Sequence, residues 1–209
     1  MSTCDGKPIL DVLEKLELDA DPKRARILEG AMKVFLAYGF DRTTMDDIAR
    51  AAEVSRPALY LQFKNKTEIY RALVAVICGR MVATWSTELP SDAVFADRVT
   101  RSFDASFIAM KREVEESPHG AELMDLGNRL AGDIIEECRG KISGLLAGAI
   151  AREADIKGTD LSRRGLSAQH MADIMLDALD GLKMRRGDND CQAATVKTLI
   201  AMVEQAIRP

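Results

Sequence analysis

The 209-residue sequence contains few aromatic residues (5%), six prolines and two histidines. With 47% hydrophobic and 30% charged residues, this composition indicates a folded helical protein rather than a disordered or β-rich one. His119 and His170 belong to no HExxH, HxE or Ser/His/Asp pattern, and the glycines form no phosphate-binding loop. We therefore expect no enzymatic activity and no catalytic residues.

Cysteines and long apolar runs are also scarce. Cys4, Cys78, Cys138 and Cys191 lie far apart without CxxC or CxxH spacing, which predicts free thiols and no metal site. No run approaches the roughly 18–20 uncharged apolar residues of a membrane-spanning helix, and the N-terminus lacks the pattern of a signal peptide. We expect a cytoplasmic protein without cofactors.

Positive charge is concentrated in one part of the chain. The net charge is −4, but residues 21–80 carry eleven Lys and Arg against seven Asp and Glu, a local charge of +4. This excess alone is too small to indicate nucleic-acid binding, and it gains weight only if a binding motif lies within it.

Four helix-start signals follow one another between residues 21 and 68. Each places an Asp, Ser, Thr or Asn where its side chain accepts a hydrogen bond from a first-turn amide. They are Asp21 before Pro22, Thr44 with Asp47, Ser55 before Arg56-Pro57, and Asn65 with Glu68. With Gly39 ending the first helix, they predict three short helices and a long fourth helix that ends near Leu89-Pro90.

The rest of the chain predicts further helices. Ser91 is expected to cap a helix that carries an apolar stripe to Val114, and a long helix covers Leu130 to Ile150. Two last helices are expected at about Ser167 to Met184 and Asn189 to Ile207. The count is about nine helices without a strand pattern, so the fold class is all-α.

Residues Thr44 to Phe63 have the size and layout of a helix-turn-helix, whose second helix enters the major groove of DNA. The runs Thr43–Ala49 and Val54–Lys66 resemble the N-terminal signature of the TetR family of regulators. The similarity covers about Asp21 to Leu73. It implies a helix-turn-helix domain at 21–70 (motif 44–63) and a helical ligand-binding and dimerisation domain at 71–209, joined through the long fourth helix. Residues 1–20 lack a clear amphipathic stripe and are expected to form a flexible arm or a frayed helix.

The resemblance also implies which residues contact DNA bases. Arg56 is suited to a bidentate contact with guanine O6 and N7, and Pro57 and Ala58 offer apolar surface to a thymine methyl group. The alternatives are that Arg56 is an exposed solubilising residue and that the other two only start the helix.

Backbone contacts are expected from Thr44, Tyr60 and Lys66, which match family positions that hold phosphates. The alternative for Tyr60 is a half-buried side chain without a DNA role. Leu61 and Gln62 replace the aromatic or histidine residues often found after this tyrosine, so the operator sequence is not predictable.

In the second domain, the family pattern implies an apolar ligand pocket. We expect it to be lined by Phe103, Phe107 and Met110, with Arg129 orienting an anionic ligand. The alternative is that this apolar stripe is ordinary core packing.

The last two helices carry the apolar residues expected of a dimer interface. If two such helices come from each subunit, they form a four-helix bundle; the alternative is packing within one chain. The residues are Met171, Ile174, Met175, Ala178, Leu179, Leu182, Val196, Leu199, Ile200, Val203 and Ile207.

Together these features predict a ligand-responsive, DNA-binding transcriptional repressor. It would bind a palindromic operator as a homodimer and be released by a small-molecule effector. The alternative is a small-molecule sensor or adaptor of the same fold without specific DNA binding.

Overall fold

The computed structural model describes residues 21–108, 117–184 and 189–209, and for residues 107, 108, 182–184 and 189–193 it describes the backbone only. These residues form eight α-helices and no strand, which confirms the all-α fold. The predicted arm at 1–20 lies outside the described residues. The helices are α1 (Pro22–Tyr38), α2 (Met45–Ala51), α3 (Arg56–Gln62), α4 (Lys66–Glu88), α5 (Phe95–Phe103), α6 (Gly120–Ile156), α7 (Ala168–Met184) and α8 (Asn189–Ala206).

The chain divides into two compact units. Of the described residues, the first comprises 21–80 and 117–136, and the second comprises 81–108, 137–184 and 189–209. The boundaries therefore fall within α4 and α6. The first unit thus takes in 117–136, a segment that the sequence-based division assigns to the second domain.

The core of the first unit is formed by the apolar faces of α1 to α4 and the first turns of α6. Its aromatic residues Phe35, Phe40 and Tyr70 contact one another, with ring centroids 5.3–6.0 Å apart. The fully buried residues around them include Ile27, Ala31, Ile48, Leu59 and Ile69.

The N-terminal part of α6 is tied to α4 by two polar side chains. The Tyr70 hydroxyl donates to the carbonyl of Leu123, and burial raises the pKa of this tyrosine to about 12. Arg71 donates to the Leu130 carbonyl and to both carboxylate oxygens of Asp133, at 2.8 and 2.7 Å. Because α6 bends at Ala131 (φ −140°, ψ 24°), Arg71 holds the helix on both sides of the bend.

The start of α5 differs from the prediction. The helix begins at Phe95, after Val94, which makes no side-chain capping hydrogen bond. Ser91 was expected to cap it, but the Ser91 hydroxyl donates to the Glu88 carbonyl at the end of α4. The serine thus closes the preceding helix. A π-helical turn (Asp104–Ile108) follows α5. The rest of the stripe predicted to reach Val114 lies outside the residues whose side chains are described.

The second unit joins α6 to α7 through polar contacts. Arg139 on α6 pairs with Asp177 and Asp180 on α7, and the Ser143 hydroxyl donates to Asp173. These contacts fix the register of two antiparallel helices, since residues later in α6 meet residues earlier in α7.

One described helix, α4, is long and apolar enough by length and composition to cross a membrane. Its residues Ile69 and Leu73 are buried in the first unit, and Trp85 is buried in the second, where its indole donates to Ser106. These apolar residues of α4 are therefore packed inside the protein.

Candidate nucleic-acid interface

The first helix of the predicted motif, α2, is capped at its start as the sequence indicates. The Thr44 hydroxyl accepts from the Asp47 amide at 3.2 Å, and the Thr44 amide donates to the Asp47 carboxylate at 2.9 Å. The Thr44 hydroxyl also donates to this carboxylate. The two hydrogen bonds that the Asp47 carboxylate accepts from Thr44 lower the pKa of Asp47, and the bond from the hydroxyl has the larger effect. The first end of the motif is therefore fixed by local contacts.

The turn between α2 and α3 is held from outside the motif. Glu53 adopts a positive φ of 53°, and Arg26 of α1 donates to the carbonyls of Ala52 and Glu53 at 3.1 and 2.8 Å. Gly30 of α1 lies so close that a Cβ atom there would be 2.6 Å from the Ala52 nitrogen. Only a glycine allows α1 to approach the end of α2 to this distance.

The second helix of the motif, α3, is anchored along one face. Ser55 caps its start by accepting from the Ala58 amide, and Leu59 and Phe63 are buried in the core. The guanidinium of Arg24 lies 4.3 Å from the centre of the Phe63 ring. These contacts leave the opposite face of α3 exposed.

That exposed face carries the residues expected to read DNA, with one addition. Arg56 and Pro57 are exposed, Tyr60 is 43% exposed, and Leu61 is 86% exposed. Ala58 is half-buried, with its amide used by the cap. The sequence analysis named Leu61 only as a departure from the family pattern; its position four residues after Pro57, on the same helix face, is the signal that was available.

Arg56 is held in place by two neighbours. Its Nη1 lies 3.2 Å from the Asp46 carboxylate of α2, and its guanidinium carbon lies 5.7 Å from the centre of the Tyr60 ring. The side chains of Arg56 and Asp46 are 63% and 52% exposed. The guanidinium is thus both accessible and restrained.

Lys66, expected to hold a phosphate, is engaged within the protein. Its ammonium donates to the carbonyls of Phe40, Asp41 and Thr43 at 2.7, 3.1 and 3.0 Å, and it lies 4.5 Å from the centre of the Phe40 ring. An ammonium group has three donors, and all three are used to close the loop between α1 and α2.

Of the residues predicted for the ligand pocket, the two whose side chains are described belong to different units. Phe103 is buried in the second unit, whereas Arg129 is exposed on α6 in the first unit. The Phe107 side chain and Met110 lie outside the described residues. The pocket stays a prediction.

The described part of the chain holds no group of three or more His, Cys, Asp or Glu side chains that is placed to bind a metal ion. Cys78 and Cys138 are not disulfide-bonded in the described part of the chain, and Cys4 and Cys191 lie outside the residues whose side chains are described.

Comparison with known proteins identifies the family of the segment that contains the helix-turn-helix. Residues 27–73 match the family model "Bacterial regulatory proteins, tetR family". Over 114 residues, 54% of this chain, the sequence is 32% identical to the HTH-type transcriptional regulator SrpR of Pseudomonas putida and to TtgW, an uncharacterised regulator of the same type from the same species. The match spans about half (48%) of SrpR and 77% of TtgW.

A shorter stretch of 60 residues, 29% of this chain and 27% of the relative, is 35% identical to a probable acrEF/envCD operon repressor of Escherichia coli. Among solved structures, the fatty acid degradation regulator FadR of Bacillus halodurans superposes with a TM-score of 0.64 at 20% identity, over 88% of this chain and 96% of FadR. Salmonella enterica GusR gives 0.64 at 21% identity, over 91% and 98% of the two chains. These structural matches establish a shared fold.

Proposed function

This chain belongs to the TetR family of bacterial transcriptional regulators, and we propose that it is a repressor that binds a palindromic operator as a homodimer and is released by a small molecule. The family and the relatives named as regulators establish DNA-binding regulation of transcription rather than catalysis. The observation that carries the proposal is the exposed face of α3, which presents a restrained arginine and apolar side chains on a fully capped helix-turn-helix.

We assign base contacts to this face. Arg56 offers paired N–H donors that match guanine O6 and N7, whereas Pro57 and Leu61 offer apolar surface to a thymine methyl group. Ala58 is half-buried and contributes less surface. The burial of Leu59 and Phe63 supports this assignment, because it fixes which side of the helix faces outward.

We assign backbone contacts to Tyr60 and Thr44. The exposed phenol of Tyr60 is a donor for a phosphate oxygen. The Thr44 hydroxyl proton is already given to Asp47, so Thr44 contributes mainly its position at the N-terminus of α2. Lys66 is left out of the DNA-facing set, because its three donors are used by backbone carbonyls.

The proposed dimer uses the exposed sides of α7 and α8. Within the second unit, Met175, Leu179, Val196, Ile200 and Val203 are buried and therefore pack inside the chain. Ile174 and Met202 are 52% and 64% exposed, with the exposed small residues Gly181 and Ala201 on the same two helices. Apolar side chains beside small residues suit a helix-to-helix contact with a second copy.

We place the proposed effector in the second unit, which contains Phe103 of the predicted pocket. The proposal requires that the ligand bind more tightly to a conformation that does not fit the operator, because a ligand can shift an equilibrium only by its differential affinity. DNA and metabolites meet in the cytoplasm, so we place the protein there.

Selection from random DNA duplexes tests the proposal. Purified protein is incubated with random duplexes at moderate salt, and bound DNA is sequenced, beside an Arg56→Ala, Tyr60→Ala double variant. The expected result is a palindromic site that the double variant does not enrich. Lys33→Ala is the matched control, because Lys33 is an exposed cation on α1 whose ion pair within the described residues is with Glu29 of its own helix. Equal enrichment by the double variant would favour the sensor or adaptor without specific DNA binding.

The dimer is tested separately with Ile174→Glu, Met202→Glu. We expect light scattering to show a monomer whose helical content is unchanged, and the selected site to be bound at least tenfold more weakly, since the two half-sites then bind independently. A variant that stays dimeric would place the interface elsewhere.

A further inference from the structure

Asp46 occupies a position on the DNA-facing side of the motif that its own helix does not require. The capping box of α2 is formed by Thr44 and Asp47, whereas the Asp46 carboxylate points to Arg56 of α3 at 3.2 Å. Exposed ion pairs of this kind add little to folding stability. A carboxylate close to DNA also weakens attraction to phosphates of any sequence. We therefore examine whether Asp46 affects the preference for specific over random DNA.

The geometry around Arg56 indicates what this effect is. A guanidinium has five donors in a rigid plane, and Asp46 takes one of them, on Nη1. The Tyr60 ring, 5.7 Å from the guanidinium carbon, restricts the side chain from another direction. The donors on Nη2 and Nε remain in a group that is 63% exposed. Two contacts from two different helices thus limit the rotamers of a long, flexible side chain.

We propose that Asp46 is a positioning residue that holds Arg56 for guanine and keeps it from phosphates. A restrained guanidinium loses less conformational freedom when it forms two hydrogen bonds to O6 and N7. An unrestrained one is free to pair with phosphates, which carry no sequence information. The inference rests on the proposed DNA-binding function and specifies how that function discriminates between sequences.

The test compares Asp46→Ala with Glu53→Ala. Glu53 is exposed on the turn between α2 and α3, so both variants change the net charge by the same amount in the same motif. Affinity is measured for the selected operator, for a random duplex, and for operators in which each guanine in turn is replaced by 7-deazaguanine, which lacks the N7 acceptor. Arg56→Ala and the Asp46→Ala, Arg56→Ala pair complete a double-mutant cycle.

We expect wild-type protein to lose about tenfold in affinity at one guanine of each half-site when N7 is removed, and Arg56→Ala to show no loss there. Asp46→Ala should bind random DNA more tightly and lower the operator-to-random ratio by about two- to fivefold, as the small energy of an exposed ion pair allows, with a reduced 7-deazaguanine effect. Glu53→Ala should strengthen binding to both duplexes and leave the ratio unchanged. In the Arg56→Ala background, Asp46→Ala should also leave the ratio unchanged.

The positioning role is overturned if Asp46→Ala keeps the wild-type operator-to-random ratio and the full 7-deazaguanine effect. It is also overturned if Asp46→Ala still lowers this ratio in the Arg56→Ala background. A wild-type protein that does not distinguish operator from random DNA would instead refute the proposed function. Unchanged melting temperature and circular dichroism of Asp46→Ala establish that the comparison concerns folded protein.

Discussion

Replacing Lys66 with methionine separates a structural role from a DNA-binding role. Methionine keeps most of the apolar stem and removes the ammonium group, which lies 4.5 Å from the centre of the Phe40 ring. The carbonyl groups of Phe40, Asp41 and Thr43 then lose the ammonium donor, and the Phe40 carbonyl keeps only the Thr43 amide among the described contacts. The loop between α1 and α2 should loosen, and the first unit should become less stable.

The magnitude follows from the burial of these hydrogen bonds. A hydrogen bond to a charged group contributes about 1.5–3 kcal/mol. The bonds to Phe40 and Thr43 are partly buried and the bond to Asp41 is exposed, so water replaces part of what is lost. Taking two bonds at the lower value gives about 3 kcal/mol. Lys64→Met, which removes an exposed cation two residues away, should change the unfolding free energy by less than about 0.5 kcal/mol.

Urea denaturation gives the unfolding free energies, and the salt dependence of operator binding gives the second readout. If Lys66 contacts a phosphate, removal of its charge lowers the slope of log K against log salt by about one unit. We expect no such change for folded Lys66→Met protein. A variant as stable as wild type that does lose one unit of slope would refute the role of Lys66 in closing the loop.

Three further predictions concern single positions. Gly30→Ala should destabilise the first unit by about 1–3 kcal/mol in urea denaturation, because the new Cβ would clash with the backbone of α2. Gly79→Ala, whose Cβ has open space, should stabilise this unit by up to about 1 kcal/mol. If the two variants changed stability alike, the close approach of α1 to α2 would be contradicted. Replacing one operator thymine with deoxyuracil, which lacks the methyl group, should weaken binding by wild-type protein but not by Leu61→Ala. An equal loss of affinity in both proteins would exclude Leu61 as the residue that contacts the methyl group. Arg71 hydrogen-bonds to Asp133 and lowers the pKa of the Asp133 carboxyl from 3.8 to about 2. The stability that this pair contributes is therefore present above pH 5 and is lost as the pH falls towards 2. When melting temperature is measured against pH, Asp133→Asn should lack this loss, and a pH dependence equal to that of wild type would contradict the role of the pair.

The local signals in the sequence predicted the first four helices well. Asp21 accepts from the Lys23 amide, Ser55 from the Ala58 amide and Asn65 from the Glu68 amide. Each of these contacts joins residues two or three positions apart, so the pattern of residue types is sufficient to indicate it. Where a side chain had two local options, as at Ser91, the prediction was wrong, because the carbonyl at the end of α4 competes with the start of α5.

Contacts between distant residues were not predictable in the same way. Lys66 and Phe40 are 26 positions apart, as are Arg26 and Ala52, and nothing in either local sequence indicates the pairing. Gly30 reads as an ordinary helix residue until α2 is placed against it. The same reasoning explains why Asp46 was missed: its type suits the first turn of any helix, and only the crossing of α2 and α3 brings it to Arg56.

The small reading surface of one α3 has a consequence for assembly. One arginine and a few apolar side chains are exposed on it, and a good bidentate base contact discriminates by about 1–3 kcal/mol. Specific regulators typically bind their sites about 4–10 kcal/mol more tightly than random DNA. One such helix supplies the lower part of that range at most, whereas two identical helices held at a fixed separation double the discrimination. This difference supports the proposed homodimer, and the two-fold symmetry of such a pair would match a palindromic site. The exposed Ile174 and Met202 are where we expect that second copy to bind.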